Sequence, residues 1–322
     1  MPGISPVNND HNIHISLKDL SILLTDEIAG IEELIGSRVS LEPLGRLKEV
    51  ADATTKFLIR SATGRPEAVL VCSRPVAPDL VKRGLEIAES IRELIGQRLG
   101  EAIIKPTQSG YVGGRSYVIL PWCREFSAFR MVRVLQRLAL TRPLLNWLQE
   151  ATEVAAATQG HSDKTRQSFH GVLEHLARQS FLDDEIKVAI ETSMRRLETK
   201  RWQPRHSFDH NDLWLGNVML PAHTGRGLTH RYPFVLIDWG GANNFGYGIY
   251  DLIRLAIALK LSSSSLHRQL VAHSTALQCD PEDTRGHLLA AFGRLHQHLE
   301  CFPEERYIQT LRNCWSTFQQ AI

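Results

Sequence analysis

The stretch "HNDLWLGNVML", residues 210–220, sets three polar side chains directly before an apolar run. His210, Asp212 and Asn217 have the spacing H-x-D-x-x-x-x-N, and "GNVML" has the β-branched and apolar content of a short strand. A second strand-like run, "YPFVLID", ends at Asp238 within "VLIDWGG". If the two strands lie side by side, Asp212, Asn217 and Asp238 meet at one place. The segment therefore predicts a site built from carboxylate and amide oxygens.

Oxygen donors of this kind suit one ion in particular. Mg²⁺ usually keeps several waters and accepts one or two carboxylates together with phosphate oxygens. An aspartate beside such an ion can orient a hydroxyl and take its proton, so the three residues supply the groups that metal-assisted phosphoryl transfer requires. The segment "DHND" at Asp209–Asp212 also raises a metal-hydrolase interpretation, but the further histidine or carboxylate ligands that it needs are not found at suitable spacing.

Upstream of this segment, residues 16–121 predict a small antiparallel sheet with one helix, an α+β arrangement. The strand-like runs are "RVSLEPL", "TTKFLIRSA", "EAVLVCS", "AIIKPTQ" and "RSYVILP". The turn signal "TGRP" at Thr63–Pro66 predicts a hairpin between the second and third runs. The run "PDLVKRGLEIAESIRELIGQRL" has helical spacing, with Asp79 as its predicted N-cap. Residues 1–15 are predicted to be a polar tail, and a further helix is predicted over Leu17–Gly36.

From the break at Pro121 onward, residues 122–322 predict a mainly helical region. The runs "EFSAFRMVRVLQRLAL" and "RPLLNWLQEATEVAAAT" are predicted as two helices, with Pro143 in the first turn of the second. Helical patterns continue in "DKTRQSFHGVLEHLARQ", "DDEIKVAIETSMRRLETKRW" and "IYDLIRLAIALKL". The sequence therefore predicts two lobes that meet near Leu120–Cys123.

Composition narrows the class of protein. The chain has 322 residues and a net charge of +2, so its charge demands neither a nucleic-acid nor a membrane partner. We expect no membrane insertion, because no apolar run has the length of a membrane span. The five cysteines are scattered and form no C-x-x-C pair, and the first residues do not follow the order of a secretory signal. These features predict a cytoplasmic protein.

The two motifs resemble those of a known family. "H-x-D-x-x-x-x-N" followed by "I-D-W-G" is similar to the aminoglycoside phosphotransferase and choline kinase family. The resemblance implies the two-lobed protein-kinase-like fold, with a small antiparallel-sheet N-lobe, a mainly helical C-lobe, and ATP and Mg²⁺ as cofactors. It also implies that Asp212 is the catalytic base and that Asn217 and Asp238 bind Mg²⁺. His210 is then expected to support the loop, and Asp251 in "YGIYDLIRL" to stabilise the start of a helix rather than touch substrate.

The small lobe departs from the family at its phosphate-binding residues. The resemblance places a lysine on the third strand, where this sequence has Val71 or Cys72. Arg74 just after the strand, Arg60 on the preceding strand, or Lys82 on the helix could replace it, because arginine can fork onto phosphate oxygens.

Two further features of the nucleotide site follow from the resemblance. The adenine is expected in the cleft between the lobes, bonded to the backbone near Ile119, Pro121 and Trp122. In place of the glycine-rich phosphate cover, the first turn "PLGRLKEVADATTKF" holds one glycine, Gly45.

Taken together, the residues predict an ATP-dependent phosphotransferase that acts on a hydroxyl of a small molecule. The missing lysine keeps open a second class, a pseudokinase that binds nucleotide or acts as a scaffold. The acceptor also stays open among sugars, phosphorylated metabolites, amino alcohols and antibiotic-like compounds. The last helices mix histidine and arginine with few carboxylates, which favours a neutral or anionic acceptor over a polycation.

Overall fold

The structure is a computed structural model that describes residues 39–44, 54–222, 231–299 and 302–322. The predicted tail, the helix predicted over Leu17–Gly36, and Gly45 lie outside the described residues. The chain divides into two compact units. The first comprises the chain up to Lys82 together with Lys105–Trp122, and the second comprises Arg83–Ile104 and Cys123–Ile322.

The first unit contains a five-stranded antiparallel sheet in the order β1-β2-β3-β5-β4, which confirms four of the five predicted strands. The strand predicted at "AIIKPTQ" is wrong, because the chain begins to pair with its neighbour in the sheet only at Gln108 and continues through the glycine-containing residues 109–112. The strands are β1 (Val39–Pro43), β2 (Thr55–Ser61), β3 (Pro66–Cys72), β4 (Gln108–Val112) and β5 (Arg115–Pro121). Phe57, Ile59, Leu70 and Ile119 alternate with more exposed residues, so one face of the sheet forms a small core. Between β4 and β5 the paired glycines at 113 and 114 both have positive φ, as a two-residue hairpin turn requires.

Helix α1 (Leu80–Gly100) begins in the first unit and continues into the second, with an interruption at Gly96. Its first N–H groups are capped by two serines from the sheet: Val81 N donates to Ser73 Oγ at 2.9 Å, and Lys82 N to Ser116 Oγ at 3.2 Å. The prediction that Asp79 caps this helix is therefore wrong. The serine hydroxyls reach the N–H groups first because both strands end beside the helix.

Beyond Lys82, α1 belongs to the core of the second unit rather than to the small sheet. Ile91 and Leu99 are almost fully buried there, and Trp147 Nε1 donates to Leu99 O at 3.0 Å. The division between the units falls after Trp122, and the segment Arg83–Ile104 groups with the helical unit. Apolar burial decides this grouping, because the stripe along α1 finds its largest apolar partners among the helices.

The second unit is mainly helical. Its helices are α2 (Arg130–Gln159), α3 (Asp163–Ala177), α4 (Asp184–Glu198), α5 (Tyr250–Leu259), α6 (Ser263–Ala276), α7 (Thr284–Gln297) and α8 (Glu304–Gln319). The prediction of two helices separated before Pro143 is wrong, because α2 runs through that proline. Leu140, Leu144 and Leu148 on both sides of it are buried on one stripe, so packing outweighs the backbone hydrogen bond that proline cannot make.

Two small sheets carry the motif segments. Strands β6 (Cys123–Arg124), β8 (Val218–Pro221) and β9 (Val235–Leu236) pair antiparallel, and β7 (Ser207–Asp209) pairs antiparallel with β10 (Asn243–Gly246). The strands predicted at "GNVML" and "YPFVLID" are therefore confirmed as β8 and β9. Within the described part of the chain, no helix combines the length and apolar character needed to cross a membrane.

Candidate active site

The loop between β7 and β8 carries the first motif. It ends in a 3₁₀ turn, Leu215–Asn217, closed by a bond from Asn217 N to Trp214 O at 3.0 Å. This turn aims the Asn217 side chain back at Asp212. Asn217 Nδ2 donates to Asp212 O at 2.8 Å and to Asp212 Oδ2 at 2.9 Å. The two predicted residues are thus in direct contact, and Asn217 Oδ1 remains as an oxygen that could bind a metal ion.

Asp238 lies beside Asn217 because one further backbone hydrogen bond extends the pairing of β8 with β9. Val218 faces Leu236 in the ladder, and Ile237 N donates to Asn217 O at 3.1 Å, so Asp238 is the next residue along. Asp238 has a φ of 65°, which non-glycine residues adopt uncommonly and which often marks a functional position. Its side chain is exposed. The structure therefore brings the neighbourhoods of all three predicted residues together within the second unit.

His210 links the two motifs. Its ring is buried against Trp239, with the ring centroids 4.5 Å apart, and Nε2 donates to Ile237 O at 3.0 Å, directly before Asp238. Burial lowers the pKa of His210, so the ring is neutral with its proton on Nε2. This arrangement agrees with the expected supporting role of His210, since the ring holds the loop of Asp212 against the strand that leads to Asp238.

Two buried aspartates join the segment 209–211 to the segment 247–251. Asp251, in the first turn of α5, accepts bonds from His210 N at 2.5 Å and from Asn211 N at 3.1 Å. Asp209 accepts bonds from the backbone N–H groups of residues 247 and 248, at 2.9 and 3.1 Å. Burial raises the pKa of both carboxyls, and in Asp251 the nearby charge of Asp209 raises it further. The expectation that Asp251 supports structure rather than contacting substrate agrees with these bonds, although it stabilises the loop rather than its own helix.

The carboxylate of Asp212 is bonded on both oxygens. Oδ2 accepts from Asn217 Nδ2 and from Trp214 Nε1, the latter at 3.2 Å, and Oδ1 accepts from Arg254 Nη2 at 3.2 Å. The Asp212 side chain is 54% exposed and that of Arg254 27%. Asp212 is thus fixed in orientation while about half of its side chain remains exposed to solvent.

Arg254 is the residue at this site that the sequence did not predict. It lies on α5, one turn after Asp251, in the quoted segment "YGIYDLIRL". Residues three apart on a helix lie on the same face, so Arg254 shares the face of Asp251. The place of Asp251 in the quoted segment was therefore the sequence signal that could have identified Arg254. Burial lowers the pKa of Arg254, but the pairing with Asp212 contributes to a net shift upward, so the guanidinium stays charged.

In the first unit, the three candidate replacements for the missing lysine have different surroundings. Arg60 on β2 is already engaged, since its Nε donates to Glu42 Oε2 at 2.7 Å and its Nη1 to Gly64 O at 3.0 Å. Arg74 lies half-buried in the turn after β3. The Lys82 ammonium lies 5.7 Å from the centroid of the Tyr111 ring.

The backbone expected to meet adenine lies on β5 and at its end. Ile119 O accepts from Thr107 N at 2.8 Å, and Trp122 N donates to Glu67 O at 3.0 Å. Pro121 has no N–H to offer. In this structure, the N–H of Trp122 is therefore committed to the sheet.

The donor set of the site can be compared with the needs of Mg²⁺. Among the residues that the structure describes, no group of three or more His, Cys, Asp or Glu side chains could hold a metal. The oxygens on offer are Asn217 Oδ1 and the Asp238 carboxylate. This set fits an ion that takes one or two protein oxygens and completes its shell with phosphate oxygens and water. A structural zinc site, with four nitrogen or sulfur ligands, would not fit.

The fold of a small antiparallel sheet followed by a mainly helical unit, with the site on the loop between β7 and β8, is the protein-kinase-like fold. The predicted fold class is therefore confirmed. The chain is similar to a candidate fructosamine-3-kinase from Haemophilus somnus 129PT, with a TM-score of 0.50 and 10% identity over 93% of this chain and 97% of that one. At this identity the likeness concerns the fold, and the fold assignment rests on this structure.

Further solved structures of the same kind are similar at lower scores. A Plasmodium vivax ethanolamine kinase gives a TM-score of 0.49 at 12% identity, covering 97% of this chain and 92% of that one. The GDP complex of an aminoglycoside 2'-phosphotransferase mutant gives 0.48 at 15% identity, covering 94% and 97%. No protein-family model matches the sequence, and comparison with curated proteins finds no match.

Proposed function

We propose that this protein is an ATP-dependent phosphotransferase of the aminoglycoside phosphotransferase and choline kinase type, which transfers the γ-phosphate to a hydroxyl of a small molecule. The observation that carries the proposal is the contact between Asp212 and Asn217, with Asp238 one residue beyond the bond that joins Ile237 to Asn217. These are the base and the two metal-binding groups that phosphoryl transfer requires. The four free cysteines of the described chain support a reducing, cytoplasmic setting.

The roles follow from the contacts of each side chain. Asp212 orients the acceptor hydroxyl at Oδ1, because Oδ2 accepts two bonds, from Asn217 and Trp214, whereas Oδ1 accepts one, from Arg254; Asp212 then takes the hydroxyl proton. Asn217 Oδ1 and the Asp238 carboxylate would hold Mg²⁺. The ion supplies positive charge that offsets the negative charge on the phosphate oxygens. His210 and Asp251 keep the loop in place, so these groups are preorganised before substrate binds.

The second candidate function is a pseudokinase that binds nucleotide without turnover. It is favoured by one specific observation in the first unit. Val71 and Cys72 occupy the place of the phosphate-gripping lysine, Cys72 is fully buried, and Arg60 is engaged with Glu42. The preserved set of a base and two metal-binding groups favours the enzyme, because a nucleotide-binding scaffold has no need of a base.

The test of the enzymatic role is ADP formation by the purified full chain from Mg²⁺-ATP, with a panel of sugars, amino alcohols, hydroxy acids, nucleosides and aminoglycosides. Asp212→Asn should abolish turnover, since the amide cannot take the proton, and circular dichroism should show an unchanged fold. Asp184→Asn, which changes an exposed carboxylate on α4, is the matched control and should keep full turnover. Full turnover by the Asp212 variant would remove the assignment of the base.

The metal assignment is tested by calorimetry of ATP binding. Binding should require Mg²⁺ and should weaken at least tenfold in Asp238→Ala, about 1.4 kcal/mol or more, because one of two protein oxygens is lost. Asp184→Asn again serves as the control. Tight ATP binding in EDTA, unchanged in Asp238→Ala, would refute the metal role. Mg²⁺-dependent binding without turnover of any acceptor would favour the pseudokinase.

A further inference from the structure

The environment of Arg254 bears on the acceptor. Arg254 forms an ion pair with Asp212 through Oδ1. It lies on α5. This helix contacts the loop between β7 and β8 that carries Asp212, because Asp251 on the same helix accepts two backbone N–H groups of that loop. Arg254 Nη2 donates to Asp212 Oδ1 at 3.2 Å. A hydroxyl that binds at Oδ1 therefore lies beside the guanidinium.

The guanidinium has hydrogen-bonding capacity that the protein does not use. Arg254 Nε is buried and has no hydrogen-bond partner in the structure. Among the described residues, the side chain of Arg254 forms its hydrogen bond and ion pair with Asp212. Its other near neighbours include Tyr250 and Cys314, and burial raises the pKa of both, so both are neutral. Because Nε is enclosed, a ligand would meet the Nη groups. The side chain is 27% exposed, and a charged guanidinium of this kind is suited to a carboxylate or phosphate.

The geometry points to a specificity: we infer that Arg254 binds an anionic group, a carboxylate or phosphate, that stands next to the acceptor hydroxyl. This inference rests on the proposed function for the hydroxyl and names the substrate class as hydroxy acids or phosphorylated alcohols. A cationic amino alcohol or a polycationic antibiotic is disfavoured at the same place, because its charge would face the guanidinium. The charge of Asp212 alone does not offset this, since Arg254 already pairs with it.

The experiment compares acceptors that differ in charge and little else. Glycerate is set against glycerol, and serine against serinamide, with ethanolamine as the cationic probe. In the wild-type chain the anionic member of each pair should have the higher kcat/KM, by about thirtyfold or more, a ratio in the range for losing one side of a hydrogen-bonded charge pair. Arg254→Met should bring this ratio close to one, mainly through KM for the acid, and Arg254→Lys should restore part of it. Arg268→Met, which removes an exposed arginine from α6, is the control and should leave the ratio unchanged.

A second arm measures binding without turnover, by calorimetry of glycerate and of inorganic phosphate with the full chain, its Arg254→Met variant and its Arg268→Met variant. If Arg254 merely positions Asp212, then Arg254→Met lowers turnover of both members of each pair equally and leaves the ratio unchanged, which overturns the inference. Equal or faster turnover of glycerol or ethanolamine by the wild-type chain also overturns it, while the proposed function stands. Arg254-dependent anion binding without any ATP turnover supports the anion site and refutes the phosphotransferase. Absence of both turnover and Arg254-dependent binding refutes both.

Discussion

The substitution Gly246→Ala tests the close approach between β10 and β7, the strand that precedes the loop of Asp212. A Cβ at this position would lie 2.3 Å from Asp209 N, 2.4 Å from Asp209 Cγ and 2.4 Å from Phe208 C. Two of these three atoms belong to the main chain of β7, which cannot turn aside as a flexible side chain can. The methyl group therefore has to push β10 and β7 apart.

The expected cost follows from the contacts that such a shift disturbs. Inserting a methyl group into a packed interior costs about 1–3 kcal/mol. The shift would also stretch the two bonds from the backbone beyond Gly246 to the Asp209 carboxylate, each worth about 1 kcal/mol or more. We expect Gly246→Ala to lower the free energy of unfolding by about 3–5 kcal/mol. Because β7 carries the loop, ATP turnover should fall as well.

Gly171→Ala is the matched control. Gly171 lies within α3, and a Cβ there would meet no atom within 4 Å. The same change should therefore stabilise the protein, by up to about 1 kcal/mol, since alanine favours the helix. Urea unfolding of the three full chains, followed by circular dichroism, measures both effects. If Gly246→Ala unfolds at the same urea concentration as the wild-type chain, the packing of β10 on β7 described above is wrong.

Three further predictions concern stability. Asp251→Ala removes the acceptor of two buried N–H groups and should lower the free energy of unfolding by about 2–5 kcal/mol, and Asp251→Asn by less; calorimetric melting that shows no difference from wild type would contradict this. Burial lowers the pKa of His287 to about 3. As the pH falls below about 6.5, this histidine becomes protonated in the unfolded chain but stays neutral in the folded chain, so the free energy of unfolding decreases. Between pH 7.5 and pH 5 this residue should account for a loss of about 2 kcal/mol, which a His287→Gln variant should not show in urea titrations at the two pH values. Trp147→Phe removes one of the two N–H donors to Leu99 O, the other being Ala102 N, and should cost about 1 kcal/mol, so an unchanged urea midpoint would exclude a stabilising role for that bond.

Much of the fold could be predicted from local sequence. Four of the five strands of the small sheet follow from runs of β-branched and apolar residues bounded by turn signals, because alternation along a strand is set by residues next to each other. The fourth, β4, lies one segment later than predicted, because its pairing with β5 and not its own composition makes it a strand. The spacing of Asp212, Asn217 and Asp238 identified the candidate site for the same reason. Each of these residues lies in or beside a short strand, and the antiparallel pairing of β8 with β9 brings them together.

The tertiary structure decided what depends on partners far away in the chain. Pro143 lies inside a helix because the leucines on both sides of it pack against the core, and no local rule contains that contribution. Segment Arg83–Ile104 joins the helical unit because its apolar stripe is buried there. The pairing of Arg254 with Asp212 links residues 42 positions apart, on a loop and a helix. Local sequence therefore determined most of the elements and the candidate site residues, whereas long-range burial and charge pairing determined which helix places its arginine against Asp212.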